Sequence, residues 1–391
     1  MPRVSVIIPT HNRRAMLLEA INSVLIQTFQ DFEILVVDDG STDGTREAVG
    51  NIPDLRVRYF YQKNAGRSAA RNRGLAESRG EFVAFLDDDD LFLPHKLEVQ
   101  VRELDADPEV GLVVGGWQKI DEKGNVLEEI APKFCALDPE AWLLDCPFII
   151  HAPLVREIWV ERASGFDRDF EPNEDWGFWL WLAHAGCRMK WIEGRVCCYR
   201  IYSGNSMPAY VSRLARSRPM ILDKFFAQTG RIPETILGQR GRFYARAYLT
   251  RAFLAMRFNE GELANCLVRQ AIEACPDWVG VGSTEFMEIV VGVVSDGRGD
   301  EPEKYLSRIV ELLPIHTRRK QTILKRLEAR LYMREAYCAR HHGDGSVVRR
   351  RVVGALTRDP AWFLNRGVVV MLVESFVGGP EDSSDNNRGR R

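Results

Sequence analysis

The sequence has little that would tie it to a membrane or to nucleic acid. Its 391 residues carry a formal net charge of −2, so no overall attraction to nucleic acid or to anionic lipid is expected. The opening segment, MPRVSVIIPTHN, has a short apolar run that ends in polar residues, unlike a signal peptide. No apolar stretch reaches the ~20 residues that a membrane-spanning helix needs. We therefore expect a cytoplasmic protein that binds no nucleic acid and makes at most peripheral contact with the inner face of a membrane.

Several common site motifs are also missing. The eight cysteines form no CxxC pair, and Cys197 and Cys198 are adjacent, which suits neither a simple disulfide nor a zinc site. They are typical of reduced thiols in a cytoplasmic compartment. The phosphate-binding GxxxxGK[ST], dinucleotide-binding GxGxxG and metalloprotease HExxH motifs do not occur. The function therefore has to be sought in other patterns.

The first two hundred residues alternate between short apolar runs and helical patterns. Five runs predict strands, namely VSVIIP, FEILVV, RVRYFYQ, FVAFL and VGLVVGG. Near-continuous apolar strands that alternate with helices are typical of a mostly parallel sheet with helices on both faces. A hairpin over WQKIDEKGNVLEE and two later runs, KWIEG and VCCYRIY, predict an antiparallel edge. The predicted fold class is α/β with a mixed sheet.

The second half of the chain has a different secondary-structure pattern. From about Met207 to about Val377, helical patterns follow one another and strand signals nearly vanish. Two segments, GELANCLVRQAIEACPDW and GSVVRRRVVGALTRDPAW, resemble each other at an offset of 84 residues, from Gly261 to Gly345. They suggest helical hairpins of the tetratricopeptide type. We expect an α/β domain over residues 1–206, an all-α domain over 207–377, and a disordered tail over 378–391.

Acidic residues follow the predicted strands at the points where ligands bind in parallel sheets. Thr10 follows the first strand, Asp38 and Asp39 the second, and Asp87 to Asp90 the fourth. Two carboxylates about 6 Å apart repel by roughly 3 kcal/mol at an effective dielectric constant near 20. A hard divalent cation, Mg²⁺ or Mn²⁺, would neutralise them. For DDDD by itself, the alternative is a solvated acidic turn ahead of the next helix.

Two predicted helix starts carry further candidate residues. NAGRSAARNRG places Arg67 and Arg71 in the first turns of a helix, where arginines and the helix N-terminus suit a phosphate. FEPNEDWGFWLWLAHAG places Glu174 and Asp175 in a first turn, where the helix dipole favours an ionised carboxylate. A general base for a hydroxyl needs such a carboxylate. The alternatives are an exposed basic helix and a purely structural acidic cap.

Taken in order, these motifs resemble the family 2 glycosyltransferases, which have the GT-A fold. The resemblance rests on VSVIIPTHNR, DFEILVVDDGSTDGT, NAGRSAARNRGLAESRGEFVAFLDDDD and NEDWGFWLWLAHAG, and covers about residues 3–206. It implies inverting, metal-assisted transfer of a sugar from a nucleoside-diphosphate sugar, with a UDP-sugar as the first candidate. The implied acceptor is a hydroxyl of a glycan, a lipid-linked glycan or a protein, within surface polysaccharide or glycan biosynthesis.

The resemblance also implies roles for the nucleotide-binding residues. Thr10 and Asp39, with Asp38 beside them, would contact the base and ribose region of the donor. Arg71 would approach the diphosphate.

A second group of implied residues concerns the metal and the chemistry. Asp87 and Asp89 would form the two ends of a DxD motif that binds Mn²⁺ or Mg²⁺, with Asp88 between them near the donor. Asp175, within the ED pair that it forms with Glu174, would be the general base.

The sequence departs from the family pattern at two places. Many relatives carry YRxH after the ED helix, whereas this chain has YRIYSGNS, with Tyr202 where the histidine would be. The segment IIHAPLVRE keeps His151 but lacks the glycine and threonine of a GHPT-like segment. Whether His151 or Tyr202 takes part in the site is left open by the sequence.

Two other functions are compatible with parts of the sequence. A nucleotidyltransferase would show a glycine-rich basic loop after the first strand, but Thr10–His11–Asn12–Arg13 follows it here. A non-catalytic scaffold, whose helical repeats bind a protein partner, would be favoured by loss of the DxD or ED acids, and both are intact. The helical half is a candidate for acceptor recognition, for a homodimer contact or for support of the catalytic domain.

Overall fold

The computed structural model describes most of the chain in two compact units. The described residues are 1–131, 139–144, 146, 148–202, 208–228, 232–276, 283–295, 302–313, 315–341 and 343–377. The first unit comprises Met1–Ser206 and Arg216–Arg231, and the second comprises Met207–Ala215 and Ile232–Arg391. The predicted boundary after residue 206 and the predicted disordered tail at 378–391 both lie outside the described residues.

Nine strands form one mixed sheet in the described part of the first unit. They are β1 (Val4–Thr10), β2 (Phe32–Asp38), β3 (Val57–Tyr61), β4 (Phe82–Phe85), β5 (Leu91–Phe92), β6 (Val110–Ile120), β7 (Val126–Ile130), β8 (Pro153–Arg156) and β9 (Arg188–Arg200). Their order is β3-β2-β1-β4-β8-β6-β9-β5, and β7 pairs with β6. The first four strands in this order are parallel neighbours, so their carboxyl ends share one edge.

Helices connect these strands in the manner that the sequence predicts. They are α1 (Arg14–Leu25), α2 (Thr45–Gly50), α3 (Arg67–Glu77), α4 (Lys96–Ala106), α5 (Pro139–Leu144), α6 (Glu157–Arg162) and α7 (Glu174–His184), with a 3₁₀ turn at Arg168–Phe170. The α/β class with a mixed sheet is confirmed. Antiparallel pairs enter through β5, β7 and β8.

The two central strands β1 and β2 explain how the site is held. Both are buried along their whole length, as their near-continuous apolar sequences predict. Helix α3 approaches β1 closely at Gly74, where an added Cβ would lie 2.4 Å from Ile7 Cγ2. This contact packs the second half of α3 against the middle of β1.

The second unit is helical throughout its described residues. Helix α8 (Pro208–Phe226) begins in this unit, and its part from Arg216 onward belongs to the first. The others are α9 (Glu234–Leu237), α10 (Arg240–Arg257), α11 (Gly261–Ala274), α12 (Thr284–Ser295), α13 (Pro302–Leu312), α14 (Thr317–His341), α15 (Gly345–Arg358) and α16 (Arg366–Val377), with a 3₁₀ turn at Pro360–Leu364. The predicted all-α domain is confirmed, and none of the helices in the described ranges is long and apolar enough to cross a bilayer.

The two similar segments are the second helices of two helical hairpins. Helix α10 packs on α11, and α14 packs on α15. Each turn has a left-handed residue two positions before the second helix, Asn259 with φ 60° and Gly343 with φ 74°. The small residues Ala271 and Ala355 are fully buried. Because these hairpins are not tandem copies, the tetratricopeptide type stays a prediction.

Candidate active site

An acidic cleft of about 390 Å³ lies at the carboxyl edge of the parallel strands. Its volume is in the range of small-ligand sites. Five of the predicted site residues line it, namely Thr10, Asp39, Asp87, Asp88 and Asp89. The other four, Asp38, Arg71, Glu174 and Asp175, lie outside the lining. Further lining residues include Arg13, Arg67, Asp90, Tyr199, Arg200 and Tyr202.

Asp39 organises the loop that leads into α3. One carboxylate oxygen accepts from Ala65 N and from Gln62 Nε2, both at 2.8 Å, and the other accepts from Gly66 N at 2.9 Å. Gly66 has φ 93°, a conformation that glycine adopts without strain. Asp39 therefore holds this loop in place while it also lines the cleft.

Asp38 and Thr10 are committed to hydrogen bonds within the protein. The buried Asp38 carboxylate accepts from Ser41 N at 2.7 Å and from Tyr59 OH at 2.5 Å. Thr10 donates its hydroxyl hydrogen to Asp88 Oδ2 at 2.7 Å. Asp38 therefore stabilises the loop after β2, and Thr10 joins the end of β1 to the acidic run.

Arg71 is a buried link between the DxD segment and the ED helix. Its side chain is 1% exposed and donates to Asp87 Oδ1 at 2.6 Å and to Glu174 Oε1 at 2.7 Å. Burial raises the pKa of Asp87, but the charge and hydrogen bond of Arg71 together with other nearby charges outweigh burial and lower that pKa to about 2. Two motifs about 90 residues apart in sequence are thus joined through one guanidinium.

Asp88 and Asp89 share a second arginine. Arg13 Nη1 lies 3.2 Å from Asp88 Oδ1 and 2.5 Å from Asp89 Oδ2. Burial and the neighbouring aspartates still raise the pKa of Asp88 to about 6, and burial also raises that of Asp89. One guanidinium therefore does not fully offset this pair of charges.

Asp90 and His151 form the most buried part of the acidic run. Each side chain is 1% exposed, and His151 Nδ1 lies 3.4 Å from Asp90 Oδ2. Asp90 Oδ1 accepts from Arg200 N at 2.6 Å. Burial and the charges of Asp87 and Asp89 raise the pKa of Asp90 well above its usual range. Burial lowers the pKa of His151 to about 4, so the imidazole is neutral at pH 7.

The same group meets the requirements for a cation. Within the described residues, ligand atoms of Asp87, Asp90 and His151 lie within 4.8 Å of one another. Neither ring nitrogen of His151 finds a hydrogen-bond partner among those residues. Carboxylate oxygens are ligands that suit Mn²⁺ and Mg²⁺, and a neutral imidazole is a common ligand of divalent transition metals. The surplus negative charge and the unsatisfied imidazole therefore fit a bound divalent ion.

Asp175 stands in the first turn of α7, next to Glu174. The side chain is half-buried, and its Oδ1 accepts from Trp176 N at 2.8 Å. Burial and the Glu174 charge raise the pKa of Asp175, Arg71 opposes them, and Asp87 adds a smaller upward shift. Asp175 is therefore electrostatically coupled to both the ED and the DxD acids.

The start of α3 carries an internal carboxylate. Glu171 Oε1 accepts from Ser68 N at 2.7 Å, and the carboxylate lies about 3 Å from where a Cβ on Gly66 would be. Of the two arginines predicted to form a phosphate seat here, Arg71 is buried, whereas Arg67 is exposed to 44% and lines the cleft. An anion in the cleft would thus meet Arg67, which lies on α3, and Arg13, which lies in the segment after β1.

Sequence reasoning gave no role to two arginines of the site. Arg13 lies three residues after the end of β1, so its position in the loop after a strand was a usable signal. Arg200 is the last residue of β9. It donates to Asp89 O at 2.9 Å and to Glu19 Oε2 at 2.7 Å, and the first of these bonds holds the backbone of the acidic run. The sequence signal for Arg200 was its place in the YR pair of YRIYSGNS. Tyr202 also lines the cleft, with its hydroxyl 3.1 Å from Met16 Sδ.

The fold and the cleft define the GT-A class. The crystal structure of S. aureus TarS 1–349 in complex with UDP-GlcNAc is similar over 92% of each chain, with a TM-score of 0.50 and 18% identity, a likeness that shows the fold. Residues 5–151 match the model of glycosyl transferase family 2. The N-terminal half of the chain is therefore a glycosyltransferase family 2 domain.

Curated relatives resemble this half of the chain. An uncharacterized glycosyltransferase of Nostoc sp. is 44% identical over 222 residues, which cover 52% of this chain and 66% of the relative. One of Rickettsia felis is 38% identical over 183 residues, covering 46% and 30%. The GalNAc(5)-diNAcBac-PP-undecaprenol beta-1,3-glucosyltransferase of Campylobacter jejuni is 40% identical over 144 residues, covering 36% and 46%. The chain thus spans between 30% and 66% of the length of these relatives.

Proposed function

We propose that the protein is an inverting glycosyltransferase that moves a sugar from a nucleoside-diphosphate sugar to an acceptor hydroxyl. A UDP-sugar is the first donor to test. The acceptor is a hydroxyl of a glycan, a lipid-linked glycan or a protein, in surface polysaccharide or glycan biosynthesis. The name of the Campylobacter relative supports the lipid-linked glycan as the first acceptor class.

The observation that carries this proposal is the Arg71 link. It holds Asp87 of the DxD segment and Glu174 of the ED pair on one guanidinium, with distances of 2.6 and 2.7 Å. Asp175 follows Glu174 in the same helical turn. A donor diphosphate at the DxD segment and an acceptor at the ED helix would therefore meet at one place, which is the proximity that a single displacement needs.

A divalent cation, Mn²⁺ or Mg²⁺, belongs to this proposal. Asp87 and Asp89 would hold it, and Asp90 and His151 offer further ligands on the buried side of the same run. A bound ion would stabilise the charge that develops on the departing nucleoside diphosphate. Arg67 and Arg13 would bind the phosphate oxygens from the walls of the cleft, and Asp39 and Thr10 would face the nucleoside.

Asp175 supplies the base in this mechanism. Its carboxylate takes the proton from the acceptor hydroxyl, whose oxygen forms the new bond to the anomeric carbon. The bond from that carbon to the diphosphate oxygen breaks on the opposite face, so the anomeric centre inverts. The raised pKa of Asp175 makes it a stronger base than a solvated aspartate while it is still ionised near neutral pH.

A donor panel tests the proposed function. UDP-, GDP- and dTDP-sugars would be incubated with Mn²⁺ or Mg²⁺ and a polyprenyl-diphosphate-linked glycan, and released nucleoside diphosphate and product anomer would be measured. We expect turnover with one donor class and inversion at the transferred sugar. Asp175→Asn should abolish transfer and keep donor binding, whereas Asp169→Asn, at an exposed site in the same segment, should keep both. Full turnover by Asp175→Asn would refute the base assignment.

A further inference from the structure

The helix α16 exposes an apolar stripe in addition to the face that it buries. Val368 and Met371 pack into the core of the second unit together with Val352. On another face, four apolar side chains recur at helical spacing and are exposed to between 41% and 69%, namely Val369, Val370, Val373 and Phe376. A helix that is apolar on two faces has more apolar surface than its own unit covers.

Two further exposed apolar side chains lie in the turn before the helix. Phe363 is exposed to 58% and Leu364 to 88%, and both lie in the 3₁₀ turn that precedes α16. We call these six residues, Phe363, Leu364, Val369, Val370, Val373 and Phe376, the α16 surface. Exposed apolar side chains grouped on consecutive elements mark a surface that is covered by something else.

The surrounding helices carry strong positive charge. Residues 317–377 contain 13 lysines and arginines against five aspartates and glutamates, in a chain whose net charge is −2. The rest of the chain therefore has a net charge of −10, although a second basic stretch, residues 208–257, holds ten lysines and arginines against two aspartates and glutamates. A basic region around an apolar stripe complements an anionic and partly apolar partner.

One arginine contacts the stripe directly, and two others lie on α16 or pair with it. The guanidinium of Arg349 lies 5.2 Å from the centroid of the Phe376 ring and donates to Ser375 O. Arg340 pairs at 2.7 Å with Glu374, the single acidic residue of α16. Arg366, at the first position of the helix, is exposed. The cationic groups thus flank the apolar side chains, and the acidic charge of the helix is already paired.

We propose that the α16 surface docks onto a lipid bilayer that contains anionic phospholipids. Valine, leucine and phenylalanine side chains would enter the boundary between head groups and acyl chains, and the flanking arginines would contact lipid phosphates. Long arginine stems suit this position because the stem lies along apolar surface while the charged end stays at the head groups. This inference does not depend on the proposed sugar transfer.

Vesicle cosedimentation of the full chain tests the proposal. Vesicles of phosphatidylcholine alone would be compared with vesicles that contain phosphatidylglycerol, at low and at high salt. We expect binding to the anionic vesicles, little binding to phosphatidylcholine, and an affinity that falls several-fold as the salt concentration rises from about 0.1 to about 0.5 M.

Two variants and a matched control locate the contact. Val373→Asp and Leu364→Asp should each weaken binding to anionic vesicles by about tenfold or more, since each places a carboxylate at the head-group level. Leu55→Asp changes a fully exposed leucine in the first unit and should leave binding unchanged. Because all three side chains are exposed, each variant should keep the fold, and circular dichroism of each variant checks that.

Other results would overturn the proposal. Absence of binding to anionic vesicles would do so, and so would equal loss of binding in Leu55→Asp and Val373→Asp. Sedimentation of the protein without lipid tests the remaining alternative, in which a second copy of the chain occupies the α16 surface. A dimer of wild type that Val373→Asp converts to monomer would show that a second copy of the chain, rather than a bilayer, covers the α16 surface.

Discussion

Replacing Arg71 by methionine should destabilise the first unit strongly. The change leaves Asp87 and Glu174 without the guanidinium that both contact, and the Glu174 side chain is only 3% exposed. Removing one partner of a buried ion pair destabilises by about 3–5 kcal/mol. Asp87 is 27% exposed, so water can solvate part of its charge, and we expect the lower half of that range.

The corresponding shift in thermal unfolding is large enough to measure. For a unit of this size, 1 kcal/mol corresponds to roughly 2–4 °C in Tm. Arg71→Met should therefore lower the Tm of the first unit by roughly 6–16 °C, from 3–4 kcal/mol. Tryptophan fluorescence is a suitable signal, because Trp176 and Trp179 are buried in α7 next to Glu174.

The effect should also depend on pH, with a definite sign. In the wild type, the lowered pKa of Asp87 contributes stability that is present above pH 4 and lost as the pH falls toward 2. In Arg71→Met, burial raises the pKa of Asp87 without that guanidinium to oppose it, so protonation removes a buried charge as the pH falls. The difference in stability between wild type and variant should therefore shrink as the pH is lowered from 7 to 4.

Arg73→Met is the matched control for this prediction. Arg73 lies on the same helix, is 51% exposed and pairs with Glu77 at 2.7 Å. Surface pairs at this spacing contribute about 0.3–0.5 kcal/mol. If Arg71→Met and Arg73→Met unfold within about 2 °C of each other, Arg71 does not hold the two motifs together, and the reasoning about the site fails.

Three further outcomes are expected. The kcat/KM should decline on the acid side at a pH above the ordinary aspartate range, because the pKa of Asp175 is raised and only its ionised form accepts a proton; a pH–rate profile measures this. Replacing His151 by phenylalanine should weaken Mn²⁺ binding by about tenfold in calorimetry, since a neutral imidazole is lost from the cation group. Changing Gly74 to alanine should destabilise the fold by about 1–3 kcal/mol in urea unfolding, because the new Cβ would meet Ile7 at 2.4 Å.

Each of these outcomes has a control in the chain. A pH profile without an acid limb above pH 5 would contradict the assignment of Asp175. His95→Phe, at an exposed histidine, should bind Mn²⁺ like the wild type, and an equal affinity in His151→Phe would remove His151 from the cation group. Gly50→Ala meets nothing within 4 Å and should change stability by less than 0.5 kcal/mol; the same small change at Gly74 would contradict the packing argument.

The parallel half of the sheet was predictable because its signal is local. Each of β1, β2 and β4 is an apolar run that is buried on both faces, and such runs stand out against their flanking polar residues. The later strands follow less local rules. Leu91–Phe92 forms a two-residue strand by pairing with Cys197 and Cys198. The sequence of the dipeptide itself does not predict this strand.

The long strand β9 was predicted in two pieces. The runs KWIEG and VCCYRIY were predicted as separate strands, whereas the structure has one strand, Arg188–Arg200, with register shifts against β6. Glu193 and Gly194 between the runs have the composition of a turn. The structure has a bulge there, where Gly194 has φ 89°, and pairing with β6 resumes at Arg195, so tertiary pairing overrides the local turn signal.

The site could be predicted as a set of residues but not as a network. Spacing after strands identified the acids, since the topology brings strand ends together. That Arg71 is buried between Asp87 and Glu174, or that Glu171 takes the backbone N–H group at the start of α3, depends on side-chain directions that no sequence pattern specifies. The role of Arg71 in contacting a diphosphate stays a prediction, and its present contacts are with the two carboxylates.

The acidic lining of the cleft has a consequence for ligand design. Five aspartates and three arginines are among the residues that form it, and Glu171 already occupies the adjacent helix start. A bare polyanion entering this space meets net repulsion, so nucleotide and cation should show strong binding synergy, each raising the affinity of the other. Inhibitors that carry a fixed positive charge in place of the metal should therefore outperform uncharged diphosphate mimics.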